Sequence, residues 1–164
     1  MEGEAWPDLS DATLVATVQD WLAPQLRGKT RLTELAGLNL PDILLQGLPW
    51  ERRQRLDAAL PARLPLPMGR SAAIDYTREV PTLEARAQHL YGLPGLPKLA
   101  EGRVPLQVAL LSPAGRPIAV TGDLAGFWKA GWLDARKDMR GRYPRHNWPE
   151  DPASAQADPP KPGR

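Results

Sequence analysis

The sequence predicts an α+β fold in which an N-terminal cluster of short helices precedes a small antiparallel β-sheet with packed helices. Apolar side chains recur at helical spacing up to about residue 60, and shorter alternating segments around turn sequences follow. The chain also has 19 prolines among its 164 residues, which keep its elements short. We therefore predict a helical cluster over 1–60, an α+β module over 61–148 and a disordered, proline-rich tail over 149–164.

The helical cluster is predicted to begin with a helix over 8–23, which Ser10 caps and Pro24 ends. The apolar face of this helix is formed by Leu14, Val15, Val18, Trp21 and Leu22. Three shorter helices are predicted to follow, over 31–38, from Pro41 onward and over 49–60.

The α+β module is predicted to contain two hairpins and two helices. One hairpin pairs 62–67 with 71–77, and the other pairs 104–111 with 117–121 across a Ser-Pro-Ala-Gly-Arg turn. The helices are predicted over 81–91, which Gly92 ends, and from 123 to about 140. The last helix has one apolar face, formed by Leu124, Trp128, Trp132, Ala135 and Met139.

The tail from Pro149 has five prolines in 16 residues and almost no large apolar side chain. Burial of so little apolar surface does not offset the entropy lost on ordering, so the tail is predicted to be disordered. The N-terminus is acidic and polar, and no stretch approaches the length of a membrane span. We therefore expect a cytoplasmic protein without a signal peptide or a membrane partner.

Catalytic and metal sites find little support in the sequence. There is no cysteine, and the two histidines, His89 and His146, stand far from any tight group of carboxylates. Gly28-Lys29-Thr30 resembles the end of a phosphate-binding loop, but Ala23 occupies the position where that loop needs glycine. We interpret it as a link between helices and predict no catalytic residue, metal or cofactor in this chain.

The chain's clearest candidate site is a basic and aromatic segment near the C-terminus. Six cations precede Asn147, and two aspartates reduce their local charge to +4. Cations bind phosphates, and aromatic rings stack on unpaired bases, which together predict contact with single-stranded RNA. The candidate residues are Lys129, Arg136, Lys137, Arg140, Arg142, Tyr143, Arg145, His146 and Trp148. The alternative is that Trp128 and Trp132 lie in the core and that the arginines form a solvated helix face.

The same segment carries a family resemblance. Residues 123–128, 136–146 and 148–152 resemble the C-terminal signature of HrpB-type bacterial DEAH-box ATP-dependent RNA helicases. Segments at 48–50, 74–76, 102–105 and 111–117 match in the same order, so the resemblance covers about 6–152. Asn147 stands where the family usually has proline, and Trp132 where tyrosine is expected.

The resemblance implies a parent enzyme that hydrolyses ATP with Mg²⁺ and acts on RNA through two motor domains, neither of which this sequence contains. It implies that this chain is a truncated or separately encoded part of such an enzyme, inactive as an ATPase alone. We expect an accessory module that binds single-stranded RNA weakly or docks on the motor domains. The alternative is a structural protein-interaction domain that does not touch RNA.

Overall fold

The computed structural model describes residues 7–158, which divide into two compact units between Ala58 and Ala59. The first unit contains short helices: α1 (Asp11–Ala16), α2 (Val18–Trp21), a 3₁₀ turn (Ala23–Leu26), α3 (Leu32–Ala36), α4 (Leu40–Gln46) and α5 (Trp50–Ala59). Ser10 caps α1 as predicted, because its hydroxyl accepts a hydrogen bond from the Thr13 backbone. The helix predicted over 8–23 is interrupted at Thr17, whose hydroxyl donates to the Thr13 carbonyl.

The second unit contains a five-stranded sheet in the order β1-β2-β3-β4-β5. The strands are β1 (Arg63–Leu66), β2 (Arg70–Asp75), β3 (Thr82–Arg86), β4 (Gln107–Leu111) and β5 (Pro117–Thr121). Both predicted hairpins are confirmed, β1 with β2 and β4 with β5. The prediction of an entirely antiparallel sheet is wrong, because β3 and β4 pair in parallel. A connection of 20 residues, 87–106, brings the chain back to the end of the sheet where β3 begins.

The prediction of a helix over 81–91 is wrong for the first half of that segment, which forms β3. Only Ala87–Leu90 are helical, as α6. Leu83, Ala87 and Leu90 have helical spacing, but Thr82–Arg86 pair with β2 on one side and β4 on the other. Pairing in the middle of the sheet therefore overrides a short local pattern, as is common for segments of this length.

The helix predicted from residue 123 forms two helices, α7 (Leu124–Lys129) and α8 (Gly131–Arg142), separated at Ala130. Asp123 caps α7, because its carboxylate accepts a hydrogen bond of 2.9 Å from the Gly126 backbone. The core of the second unit packs these helices against the sheet and α6. Its largest fully buried side chains include Trp132, Tyr91, Leu83, Leu90 and Leu110.

The prediction that disorder begins at residue 149 is wrong. We call residues 149–158 the C-terminal strap, because they lie packed on the second unit. Pro152 is fully buried, and the Pro152 carbonyl accepts a hydrogen bond of 2.9 Å from Gly92 N. Asp158 N donates to the Gln88 carbonyl, and Ala157 is 3% exposed. The strap thus offsets its ordering entropy with specific contacts that its composition does not reveal. The rest of the predicted disordered tail, residues 159–164, lies outside the part of the chain that the structure describes.

Candidate nucleic-acid interface

Four aromatic rings form a buried cluster beneath the predicted RNA-binding segment. The Trp132 ring lies 5.2 Å from that of Trp128, 5.8 Å from that of Tyr91 and 6.0 Å from that of Trp148, between ring centroids. Trp128 and Trp148 are each 5% exposed, and Trp132 is fully buried. The core interpretation of Trp128 and Trp132 is therefore confirmed. The ring of Trp148 is likewise in the core and presents no face on which a base can stack.

The polar atoms of these aromatic side chains hold the chain that follows α8. Trp148 Nε1 donates to the Tyr143 carbonyl at 2.9 Å, and the Tyr91 hydroxyl donates to the Asn147 carbonyl at 3.0 Å. Trp132 Nε1 donates to the Pro149 carbonyl at 2.8 Å. Since each donor comes from the packed core, the loop over 143–148 and the start of the strap are fixed in position.

Arg136 belongs to the same supporting network. Its side chain is only 19% exposed, its Nε donates to the Trp148 carbonyl at 2.7 Å, and its NH2 lies 3.5 Å from a Glu150 oxygen. The guanidinium therefore positions the loop, and it retains little surface for a phosphate. Of the nine predicted site residues, Arg136 and Trp148 have mainly structural contacts.

The remaining cations form a surface that we call the cationic rim: Lys129, Lys137, Arg140, Arg142 and Arg145, all exposed. Arg142 lies 3.2 Å from Asp138, but both side chains are more than half exposed, so water screens the pair. Within residues 7–158 the other four rim residues have no carboxylate within 4 Å. The rim therefore keeps most of its positive charge available.

A shallow cleft lies where α8 meets the loop. It has a volume of about 370 Å³ and is lined by Arg136, Arg140, Pro144, His146, Asn147 and Trp148, without a carboxylate. His146 is exposed and its ring lies 6.3 Å from that of half-buried Tyr143. The cleft presents cationic and amide groups on a rigid support, which suits an anion such as a backbone phosphate.

Burial also alters the acidity of two groups near the strap. Desolvation raises the pKa of Tyr91 far above its ordinary value, and the charge of Asp158 adds to the shift. The pKa of His89 is lowered, first by desolvation and then by the charges of Arg70 and Arg86. Tyr91 is thus held as a neutral hydrogen-bond donor to the loop.

The residues that resemble a phosphate-binding loop do not fit ATP. Gly28-Lys29-Thr30 lies between the 3₁₀ turn and α3, so the interpretation as a link between helices is confirmed. Ala23, at the position that needs glycine, begins that turn, and no strand precedes it in residues 7–58. Within 7–158 no group of three histidine or acidic side chains is placed to hold a metal ion, and no helix can span a membrane.

The first unit has a feature that the sequence interpretation missed. Trp50 is 67% exposed, although it lies in the segment 49–60, where apolar residues at helical spacing predicted a helix. Val15 and Leu32 are 72% and 85% exposed, and no residue in the described part of this unit is buried. The sequence alone gave no sign of this, because helical spacing predicts a shared face but not what covers it.

A family of ATP-dependent helicase C-terminal domains, HrpB_C, matches residues 21–152 of this chain. The chain belongs to this family. The ATP-dependent RNA helicase HrpB of Escherichia coli (strain K12) is 43% identical over 150 residues, which cover 91% of this chain and 18% of that protein. The resemblance to HrpB-type helicases is thus confirmed.

Two solved structures agree with the family assignment. The crystal structure of the E. coli DExH-box NTPase HrpB matches with a TM-score of 0.85 and 40% identity, over 95% of this chain and 19% of that one. A crystal structure of the Escherichia coli DEAH/RHA helicase HrpB matches with a TM-score of 0.68 and 40% identity, over 87% and 18%. This HrpB_C chain therefore spans about a fifth of the length of its relatives.

Proposed function

We propose that this HrpB_C chain is an accessory module of a cytoplasmic ATP-dependent RNA helicase and contacts single-stranded RNA through the cationic rim. ATP hydrolysis belongs to the motor domains of such an enzyme. The observation that carries the proposal is the exposed, largely unpaired charge of the rim beside a cleft without carboxylates. Contacts of this kind bind phosphates and are independent of base sequence.

The rigid loop supports this function. Arg145 and His146 lie between Tyr143 and Asn147, whose carbonyl oxygens accept hydrogen bonds from the buried network. Their backbone is therefore ordered before RNA arrives, which lowers the entropy cost of binding. Because Trp128, Trp132 and Trp148 are buried, the rim contributes charge without stacking. We expect its affinity for RNA to be weak and sensitive to salt.

Charge-matched variants test the proposal. The chain with Arg140→Ala, Arg142→Ala and Arg145→Ala is titrated with a fluorescein-labelled oligouridine and compared with Arg86→Ala, Arg103→Ala and Arg116→Ala. The control removes the same charge from exposed positions outside the rim. We expect the rim variant to lose affinity and the control to retain it. Equal affinity of the rim variant and the unmodified chain would refute the assignment.

A second candidate function is docking on the motor domains, and the exposed apolar residues of the first unit favour it. Val15 and Leu32 expose most of their surface, and contact with another protein would bury this apolar surface. The test mixes this chain with E. coli HrpB shortened to remove its matching C-terminal region. Docking predicts a complex that Val15→Ser with Leu32→Ser weakens; no complex at micromolar concentration would exclude docking through this surface.

A further inference from the structure

The tryptophans of this chain differ in exposure according to where they lie. Trp128, Trp132 and Trp148 are at most 5% exposed. Trp21 is half-buried, and its indole N–H donates to the Leu14 carbonyl at 3.0 Å. Trp50, at 67%, is the one tryptophan in residues 7–158 with most of its surface in solvent. An exposed indole ring offers an aromatic face on which a ligand can stack.

The neighbours of Trp50 are cationic. Residues 50–55 contain three arginines, Arg52, Arg53 and Arg55, and one glutamate, which gives this turn and a half of α5 a net charge of +2. Arg53 and Gln54 are three and four residues after Trp50, so they share its helix face. Side chains on a helix lean toward its N-terminus, which brings Arg53 over the turn that begins at Trp50.

We propose that Trp50, with Arg52 and Arg53, forms a second RNA contact, in which an unpaired base stacks on the indole ring and its phosphate meets a guanidinium. The proposal shares its ligand with the proposed function but not its residues or its physical basis. The cationic rim supplies charge alone, whereas this surface supplies the aromatic ring that the rim lacks. A ring beside arginines is the combination that binds single strands with little base preference.

The composition of the helix face favours RNA over a protein partner. A protein interface centred on Trp50 requires further apolar side chains around it to exclude water. The positions that share its face, at intervals of three, four and seven residues, are instead Arg53, Gln54 and Asp57. A stacked base needs only one ring face and a nearby cation, and α5 offers both.

The experiment compares two labelled probes on the full chain: an oligouridine and an abasic oligomer of the same length with the same phosphates. We expect Trp50→Ala to weaken oligouridine binding roughly five- to a hundredfold. The abasic probe should bind the variant and the unmodified chain equally, because it has nothing to stack. Trp50→Phe should retain most of the affinity, since it keeps a ring. Val120→Ala, which removes another exposed apolar side chain, is the matched control and should change nothing.

Each possible outcome either supports or overturns the proposal for Trp50. Oligouridine affinity that Trp50→Ala leaves unchanged overturns the proposal, as does an equal loss with the abasic probe. If Trp50→Ala changes the sedimentation of the chain without RNA and Val120→Ala does not, the surface is a protein interface instead. If Trp50→Ala does not fold, Trp50→Phe decides: RNA must quench tryptophan emission in the unmodified chain and not in this variant. The rim variant changes binding of both probes, so failure of the rim and failure of Trp50 are distinguishable.

Discussion

The indole Nε1 of Trp132 donates a hydrogen bond of 2.8 Å to the carbonyl oxygen of Pro149. Trp132 is fully buried in α8, while Pro149 begins the strap. A fully buried side chain therefore holds the start of the strap beside a basic segment of the chain. The buried aromatic residues therefore act as supports, and the cations of the rim remain exposed to solvent.

Trp132→Phe removes the donor and leaves the Pro149 carbonyl without its partner. We expect a loss of roughly 1–3 kcal/mol from the unsatisfied group, with a further loss from the smaller ring. The loss is measured as the difference in the free energy of unfolding in urea between the variant and the unmodified chain. Trp50→Phe is the control, and as a surface change it should stay within about 0.5 kcal/mol. Similar stabilities for the two variants would contradict the supporting role of Trp132.

Tyr91→Phe should make stability less dependent on alkaline pH. Burial raises the pKa of Tyr91 in the folded protein, whereas in the unfolded chain it ionises near pH 10. Its contribution is therefore complete below that pH and declines as the pH rises above it. We expect the free energy of unfolding to fall as the pH rises above about 10, and to fall less in Tyr91→Phe. A steeper fall in the variant would contradict this assignment.

RNA binding through the cationic rim should weaken with salt in a defined way. If about three to four phosphates are neutralised, the logarithm of the affinity falls with the logarithm of salt at a slope of roughly −2 to −3. Arg140→Ala, Arg142→Ala and Arg145→Ala together should reduce both the affinity and that slope. Titrations at several salt concentrations give the slope. A melting curve of the same variant shows whether these arginines also stabilise the fold, as the purely structural alternative requires.

The isolated chain should neither bind nor hydrolyse ATP. Lys29 lies in a link between helices, and Ala23 replaces the glycine that a phosphate loop needs. Release of labelled phosphate from ATP should equal that of a buffer blank. Turnover that Lys29→Ala abolishes would overturn the prediction, whereas turnover that Lys29→Ala leaves unchanged would indicate a contaminating ATPase.

Gly92→Ala should loosen the strap. Gly92 has a φ of +85°, and a Cβ there would lie 3.1 Å from the Ala155 carbonyl oxygen. Gly115→Ala is the matched control, because it has a φ of +79° and open space around the added carbon. Both variants incur backbone strain of about 1 kcal/mol or more. We expect Gly92→Ala to be the less stable of the two in urea, and equal losses would show that the strap adapts without cost.

The sequence predicted the elements whose signals are local. The turn around Gly115 and the cap at Ser10 specify their hairpin and helix within a few residues. The β3 strand was missed because its identity depends on parallel pairing with β4, which follows it only after the connection over 87–106. The strap was missed because small residues such as Pro152 and Ala157 bury well only against a surface shaped for them.

For the candidate site, too, the features that depend on local sequence could be predicted, and those that depend on tertiary contacts could not. The exposure of the rim cations could be predicted from the sequence, because charged side chains are solvated unless they are paired, and their contact with RNA stays a prediction. Trp148 and Arg136 were assigned to RNA, although the fold uses them to hold the loop. The structure gives a reason why asparagine can stand at position 147, where proline is expected from the family resemblance. The fold uses its carbonyl oxygen, which proline also has.

The strap has a consequence for biosynthesis. Residues 149–158 leave the ribosome after every strand and helix of the second unit, yet Gly92 and Gln88 bond to Pro152 and Asp158. The nascent chain therefore carries Trp132 without its hydrogen-bond acceptor, the Pro149 carbonyl, until the strap emerges. Closure of the second unit is a late event in synthesis, and a ribosome that stops before residue 149 presents an unfinished aromatic core to the chaperones around it.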